Sequence, residues 1–185
     1  MFREASSHGK SPMVQYRRDK TGGGTYFFTL VLKDRCSKLL TRYITLLRRC
    51  FRRAKKNNEF RIKALVILPD HLHMIMILPE VDSDYSTRIR QIKTYFVKEL
   101  ILIGEELIKN QRGEYPIWQR RFWEHRIRSD SDLQAHVDYI HFNPVKHRLA
   151  KQAVDWPYSS IHKYIADGMV PKNWGGEGVN GDFGE

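Results

Sequence analysis

Apolar residues fall along this chain in two alternating rhythms, short continuous runs and longer stretches with helical spacing. TYFFTLVL (25–32), set off by Gly22-Gly23-Gly24, is rich in β-branched and aromatic residues and predicts a buried strand. From Cys36 to Lys56, Leu39, Leu40, Tyr43, Ile44, Leu47 and Phe51 recur at three- and four-residue intervals with Arg and Lys between them. That spacing predicts an amphipathic helix with a basic outer face. FRIKALVIL (60–68) and HLHMIMIL (71–78), separated by Pro69-Asp70, predict a β-hairpin. A second helix is expected between Ser83 and Ile103, where Ile89, Ile92, Tyr95, Phe96, Val97 and Leu100 follow the capping candidates Asp82-Ser83-Asp84. RFWEHRIR (121–128) reads as a fourth strand and SDSDLQAHVDYIHFN (129–143) as a capped helix. Pro144 disfavours α conformation at Asn143, so the helix is expected to end there.

The order β-α-β-β-α-β, with a further helix after it, predicts an α+β fold of the ferredoxin-like, split βαβ kind. Its helices would cover one face of an antiparallel sheet and leave the other available for function. Residues 1–15 are polar, carry Gly9 and Pro12, and read as a flexible extension. The domain is expected over 16–150. A C-terminal helical or tail segment, 151–185, holds Trp156, Tyr158 and Trp174 before a polar end.

At 185 residues the chain is about one domain long, and 41% hydrophobic residues suffice for a core. The charge changes the picture more. Thirty-two Lys and Arg against 21 Asp and Glu give +11, with a sequence pI near 9.7, a field that attracts polyanions and nucleic acid first. Cys36 and Cys50 lack CxxC spacing, so neither a disulfide framework nor a cysteine zinc site is expected. No apolar run approaches the ~20 residues that span a bilayer, and the N-terminus lacks the apolar block of a secretion signal. A cytoplasmic, nucleoid-associated location in a bacterial type of cell is the expectation, with no membrane partner.

His71 and His73 are two apart on a predicted strand, so both imidazoles leave the same face while Leu72 and Met74 face the other way. One metal ion could receive both, although ordinary hydrogen-bonded histidines show the same spacing. Tyr139 and Asn143 are four apart on a predicted helix and share a face. Taken singly, Tyr139 suits aromatic packing and Asn143 suits a cap. The combination is far more specific than either part.

Four segments, LVILPDHLHMIMILPE, IWQRRFWEHRIR, HVDYIHFNPVKHRLA and WPYSSIHKYIADGMVPKNW, closely resemble the single-tyrosine HUH transposases, and among them the REP-associated tyrosine transposases. The resemblance runs from about Tyr26 to Trp174. It implies a ferredoxin-like fold, His71 and His73 as the pair holding Mg²⁺ or Mn²⁺, Tyr139 as nucleophile, and Asn143 where relatives place a third ligand, often a glutamine. It also implies cleavage of single-stranded DNA through a 5′-phosphotyrosine. The implied partner is a hairpin of the repetitive extragenic palindrome type with a flanking tetranucleotide, bound by a monomer or a homodimer.

Phosphate contacts are expected from Arg17, Arg18, Arg120, Arg121, Arg126, Arg128 and Lys146, each adding salt-sensitive affinity. The basic 48–56 helix reads instead as a solvated face. Two other functions fit the same residues: a noncatalytic ferredoxin-like module for single-stranded nucleic acid, and a metal nuclease that activates water and forms no covalent link.

Overall fold

The computed structural model describes residues 22–176. The extension over 1–15 and the two arginines Arg17 and Arg18 lie outside the described residues. The elements run β1 (Thr25–Val31), α1 (Leu39–Arg42), α2 (Ile44–Asn57), β2 (Arg61–Ile67), β3 (His71–Ile77), α3 (Tyr85–Leu102), β4 (Trp123–Arg126), α4 (Asp130–Lys146) and α5 (Ile161–Ala166), with a 3₁₀ turn at Ala153–Asp155. The strands form one sheet in the order β2-β3-β1-β4, every neighbouring pair antiparallel. This is the expected ferredoxin-like α+β arrangement. Gly23, at φ +68°, makes the entry turn into β1 and donates its N–H to the carbonyls of Pro79 and Asp82.

Strand alternation sorts the core into two layers. Tyr26, Phe28, Leu30, Leu72, Met74 and Met76 face α2 and α3, which contribute Leu47, Phe51, Ile89, Ile92 and Phe96. The basic residues of α2, Arg48, Arg49, Arg52, Arg53, Lys55 and Lys56, are all exposed, as their amphipathic spacing predicts. On the other face Phe27, Ala64, Val66 and Ile75 pack against Val137, Tyr139 and Ile140 of α4. That face is therefore not left available, as the sequence suggested: the additional helix lies across it. Burying one side chain such as Ile140 there contributes about 1.5–3 kcal/mol, which fixes the helix to the sheet.

Two helix boundaries differ from the expectation. The Cys36–Lys56 stretch is broken at Tyr43, whose φ of −110° and ψ of 37° are not helical, so α1 and α2 are separate. Helix α4 continues through Pro144 to Lys146. Proline removes one N–H and so one bond to the carbonyl four residues earlier, but the turn closes behind it through His147 N to Asn143 O at 3.0 Å. The start follows the pattern, with Ser129 accepting a hydrogen bond from Asp132 N and Asp84 doing the same for Thr87 N at the start of α3.

Beyond α4 the chain returns to the sheet. Ser159 bridges Val66, Ile67 N donates to Tyr158 O at 2.9 Å, and Ser160 N donates to Leu65 O at 2.8 Å. Trp156 Nε1 reaches Ile67 O at 2.9 Å. No helix among the described residues is long and apolar enough to cross a membrane.

Candidate active site

The register of β1 against β3 sets Thr29 beside His73 and Val31 beside His71. Both histidines are buried, at 2% and 0% exposure. Each is oriented through Nδ1. Thr29 Oγ1 lies 2.9 Å from His73 Nδ1, and Asp70 Oδ1 lies 2.8 Å from His71 Nδ1. Asp70 is held in turn by Arg35, whose Nε is 2.6 Å from Oδ2. The rings are edge to face with centroids 5.1 Å apart. Burial lowers the pKa of His71 despite the opposing pull of Asp70, which favours the neutral imidazole that carries a free lone pair for a metal.

Helix α4 lays a single face over this pair. Tyr139, Asn143 and His147 recur every four residues, one turn apart. At one end the Tyr139 ring meets His73, centroids 5.1 Å apart and planes at 71°; at the other His147 meets His71 at 5.0 Å and 70°. Asn143, fully buried, is the middle residue of that face. The Tyr139 ring is 2% exposed, but its hydroxyl sits under the ammonium of Lys146, Nζ to Oη 3.5 Å. Lys146 is itself exposed.

The remaining candidates are dispersed. Arg126 pairs with Tyr26 and so leaves the sheet on the α2–α3 side, away from Tyr139. Arg120 and Arg121 are exposed in the segment before β4, and Arg128 is exposed just ahead of α4. Among the described residues, only Lys146 of the expected phosphate contacts lies at Tyr139. His141 turns away: its Nε2 is 3.0 Å from Ser160 Oγ and its ring meets that of Tyr164 at 4.6 Å.

Residues that the sequence did not single out complete the surroundings. Asp70 reads as half of a turn dipeptide, and His147 lies past the expected helix end. A further group, His125, Asp132 and His136, brings three donor atoms within 4.8 Å of one another. His125 Nε2 lies 3.0 Å from Asp132 Oδ2, His136 Nδ1 lies 3.0 Å from Asp132 Oδ1, and Arg128 N donates to Oδ2 at 3.0 Å. Burial pushes the Asp132 carboxyl up, but the bonds from His125 and Arg128 and the two imidazoles outweigh it and hold the pKa below its usual value. This group pins the first turn of α4 to β4. The i, i+4 spacing of Asp132 and His136 was its one visible signal.

The model of the family described as "Transposase IS200 like" matches residues 22–143, a span that contains the histidine pair, Tyr139 and Asn143. The chain belongs to this transposase family. Within it, the chain is 44% identical over 173 residues to the REP-associated tyrosine transposase of Escherichia coli (strain K12), covering 94% of this chain and 98% of that one. A Haemophilus influenzae protein assigned to the same group is 47% identical over 166 residues, 89% of this chain and 94% of its own. Among solved structures, a REP-associated tyrosine transposase bound to a REP hairpin matches with a TM-score of 0.81 and 43% identity, over 92% of this chain and 96% of that one. The family assignment makes the chain a tyrosine transposase of the HUH type, as its motifs suggested.

The site has room in its bonding for a cation. Among the described residues, no hydrogen bond reaches the buried Nε2 of His71, Nε2 of His73 or Oδ1 of Asn143, while the two imidazoles are anchored through their other nitrogens. A buried polar atom so placed costs about 1–3 kcal/mol, which coordination would offset. Two imidazoles and an amide oxygen suit a borderline divalent ion. The donors of the His125 group, by contrast, are already engaged with one another.

Proposed function

We propose that the protein is a metal-dependent single-strand DNA endonuclease and strand transferase that acts on REP-type hairpins through a covalent 5′-phosphotyrosine at Tyr139. The observation that carries this reading is the placement of the Tyr139 ring against His73 with the Lys146 ammonium 3.5 Å from its hydroxyl. A nucleophile, two oriented imidazoles and a cationic side chain lie side by side where α4 crosses the sheet.

A divalent ion, Mg²⁺ or the more nitrogen-tolerant Mn²⁺, held by His71, His73 and Asn143, supplies positive charge against the negative charge that grows on the scissile phosphate. The phenol oxygen of Tyr139 forms the new bond to phosphorus as the bond to the 3′ oxygen breaks, and the phenol proton is lost as the departing oxygen gains one. The reverse attack by a 3′-hydroxyl joins strands without a nucleotide cofactor. Lys146 stands where it would steady the phenol oxygen before attack and a phosphate oxygen after it. Asp70 and Thr29 keep the imidazoles aimed.

The hairpin partner follows from the relatives and is consistent with the net charge of +11. Arg17, Arg18, Arg121 and Arg128 are proposed to contact its phosphates. A nucleoid-associated role in the cytoplasm fits that substrate.

The test is a denaturing gel. A labelled REP-type hairpin oligonucleotide incubated with the protein and Mn²⁺ should yield a DNA–protein adduct that survives SDS and is absent with Tyr139→Phe. Cleavage without an adduct would mean that water is the nucleophile. Retention without cleavage would leave a binding module.

A further inference from the structure

The two imidazoles of the site are aimed in different ways. His73 lies inside β3, and Thr29, which meets its Nδ1, is the residue paired with it across the sheet. Strand pairing therefore fixes both partners of that bond. His71 is the first residue of β3, and Asp70, which meets its Nδ1, belongs to the turn closed by Leu68 N donating to His71 O at 2.8 Å. The Asp70 carboxylate hangs on torsions that no strand register sets.

Arg35 supplies the missing restraint. Among the described residues two side chains bond Asp70, and they take different oxygens: His71 Nδ1 lies 2.8 Å from Oδ1 and Arg35 Nε lies 2.6 Å from Oδ2. One bond leaves a carboxylate free to swing about it, whereas two charge-assisted bonds on separate oxygens fix its plane. The Asp70 side chain is only 13% exposed, so the pair is screened by water on the arginine side alone.

The backbone presents Arg35 at this point. Asp34 Oδ1 accepts from Cys36 N at 2.9 Å and Asp34 O from Ser37 N at 3.3 Å, which shapes the turn that carries the arginine. Just before that turn Leu32 N donates to Asp70 O at 2.7 Å, and just after it Leu40 N donates to Pro69 O at 3.1 Å. The loop of Arg35 is thus tied on both sides to the Pro69-Asp70 turn.

We propose that Arg35 is a positioning residue for the metal site: through Asp70 it holds the His71 imidazole in the orientation that offers Nε2 to a divalent cation, and so sets the affinity of the site for that ion. This inference rests on the metal-dependent reading above and adds to it a residue that acts on the ion only through others. A ligating imidazole is fixed by the partner of its other nitrogen, and loss of such a partner costs about 10–100-fold in metal affinity. Asp70 is that partner for His71, and Arg35 keeps it in place. A phosphate contact is the other role open to an exposed arginine in a chain of net charge +11. The 2.6 Å bond to Asp70 favours positioning, and the two roles differ in what they do to the metal when no DNA is present.

The experiment measures Mn²⁺ binding to the full chain without DNA, from the loss of the free-ion signal in electron paramagnetic resonance. Arg35→Met should weaken binding by about tenfold, and Arg35→Lys, which keeps the charge, should recover part of it. Thermal melts matching the parent show that the fold is intact in each variant. In an Asp70→Ala background Arg35→Met should cause no further loss, because the two residues act in series. Unchanged Mn²⁺ affinity in Arg35→Met overturns the inference and leaves Arg35 a phosphate contact, as does a second loss of equal size in the Asp70→Ala background. Both results leave the metal-dependent reading standing. A parent chain that binds no Mn²⁺, or that binds it equally well after His71→Ala, overturns that reading and this inference together.

Discussion

Tyr139 and His73 meet edge to face, 5.1 Å between ring centroids, although one belongs to a helix and the other to the strand beneath it. The contact sets the phenol ring beside a histidine pair whose Nδ1 atoms are already committed. His71→Ala and His73→Ala should each reduce adduct formation by at least about a hundredfold and change hairpin affinity little, because neither imidazole reaches the surface. Chelation of divalent ions should stop the parent protein in the same way, with Mn²⁺ restoring it. Parallel loss of binding in either variant would assign the histidines to DNA contact.

Lys146 lies 3.5 Å from the Tyr139 hydroxyl and 4.9 Å from the centre of its ring. Lys146→Ala should slow adduct formation by about ten- to a hundredfold at saturating DNA, with Lys146→Arg recovering part of the rate. Single-turnover kinetics with excess protein separate this from weaker binding. A change confined to affinity would reduce Lys146 to a phosphate contact.

The His125–Asp132–His136 group ties α4 to β4 two turns before Tyr139. Asp132→Ala removes an acceptor shared by two imidazoles and a backbone N–H, and should cost about 1–3 kcal/mol of stability in urea unfolding. Below the melting transition it should also slow adduct formation, since the helix that presents the phenol loses its anchor. An unchanged unfolding midpoint would show the group to be a surface arrangement without structural weight.

Burial holds His141 neutral, its pKa lowered to about 4. In the unfolded chain the same imidazole takes up its proton near pH 6.5, so between about 6.5 and about 4 the unfolded state binds a proton that the folded state refuses. Stability from this residue is complete above that window and is lost as pH falls through it, the loss reaching on the order of 3 kcal/mol at the lower end. His141→Phe, which keeps a ring and cannot titrate, should flatten the fall in melting temperature between about pH 7 and about pH 4.5. An identical fall in both proteins would place the acid sensitivity elsewhere.

Much of this was legible in the sequence, for physical reasons. A strand two-residue repeat fixes that His71 and His73 share a face, and a helix repeat fixes the same for Tyr139 and Asn143. The order of apolar runs was enough for the sheet. What periodicity does not encode is which layer a helix joins, and α4 was therefore not anticipated on the second face of the sheet. Pro144 misled about the end of α4 because one missing hydrogen bond is tolerable when the buried face of the helix is already committed. That early ending hid His147, one turn beyond Asn143. Asp70 went unnoticed because a Pro-Asp turn needs no further explanation. The phosphate contacts were the least readable: arginines are abundant, and only tertiary structure shows that Arg126 leaves the sheet on the side away from Tyr139.

The return of residues 158–160 to β2 has a consequence for self-association. Those residues occupy the hydrogen-bonding groups that an outer strand would otherwise offer to a neighbour. A second copy could extend the sheet at that border only by evicting them. Ser160, one of the three, also holds His141 on the helix of Tyr139, so dimerisation along this border would disturb the mount of the nucleophile itself.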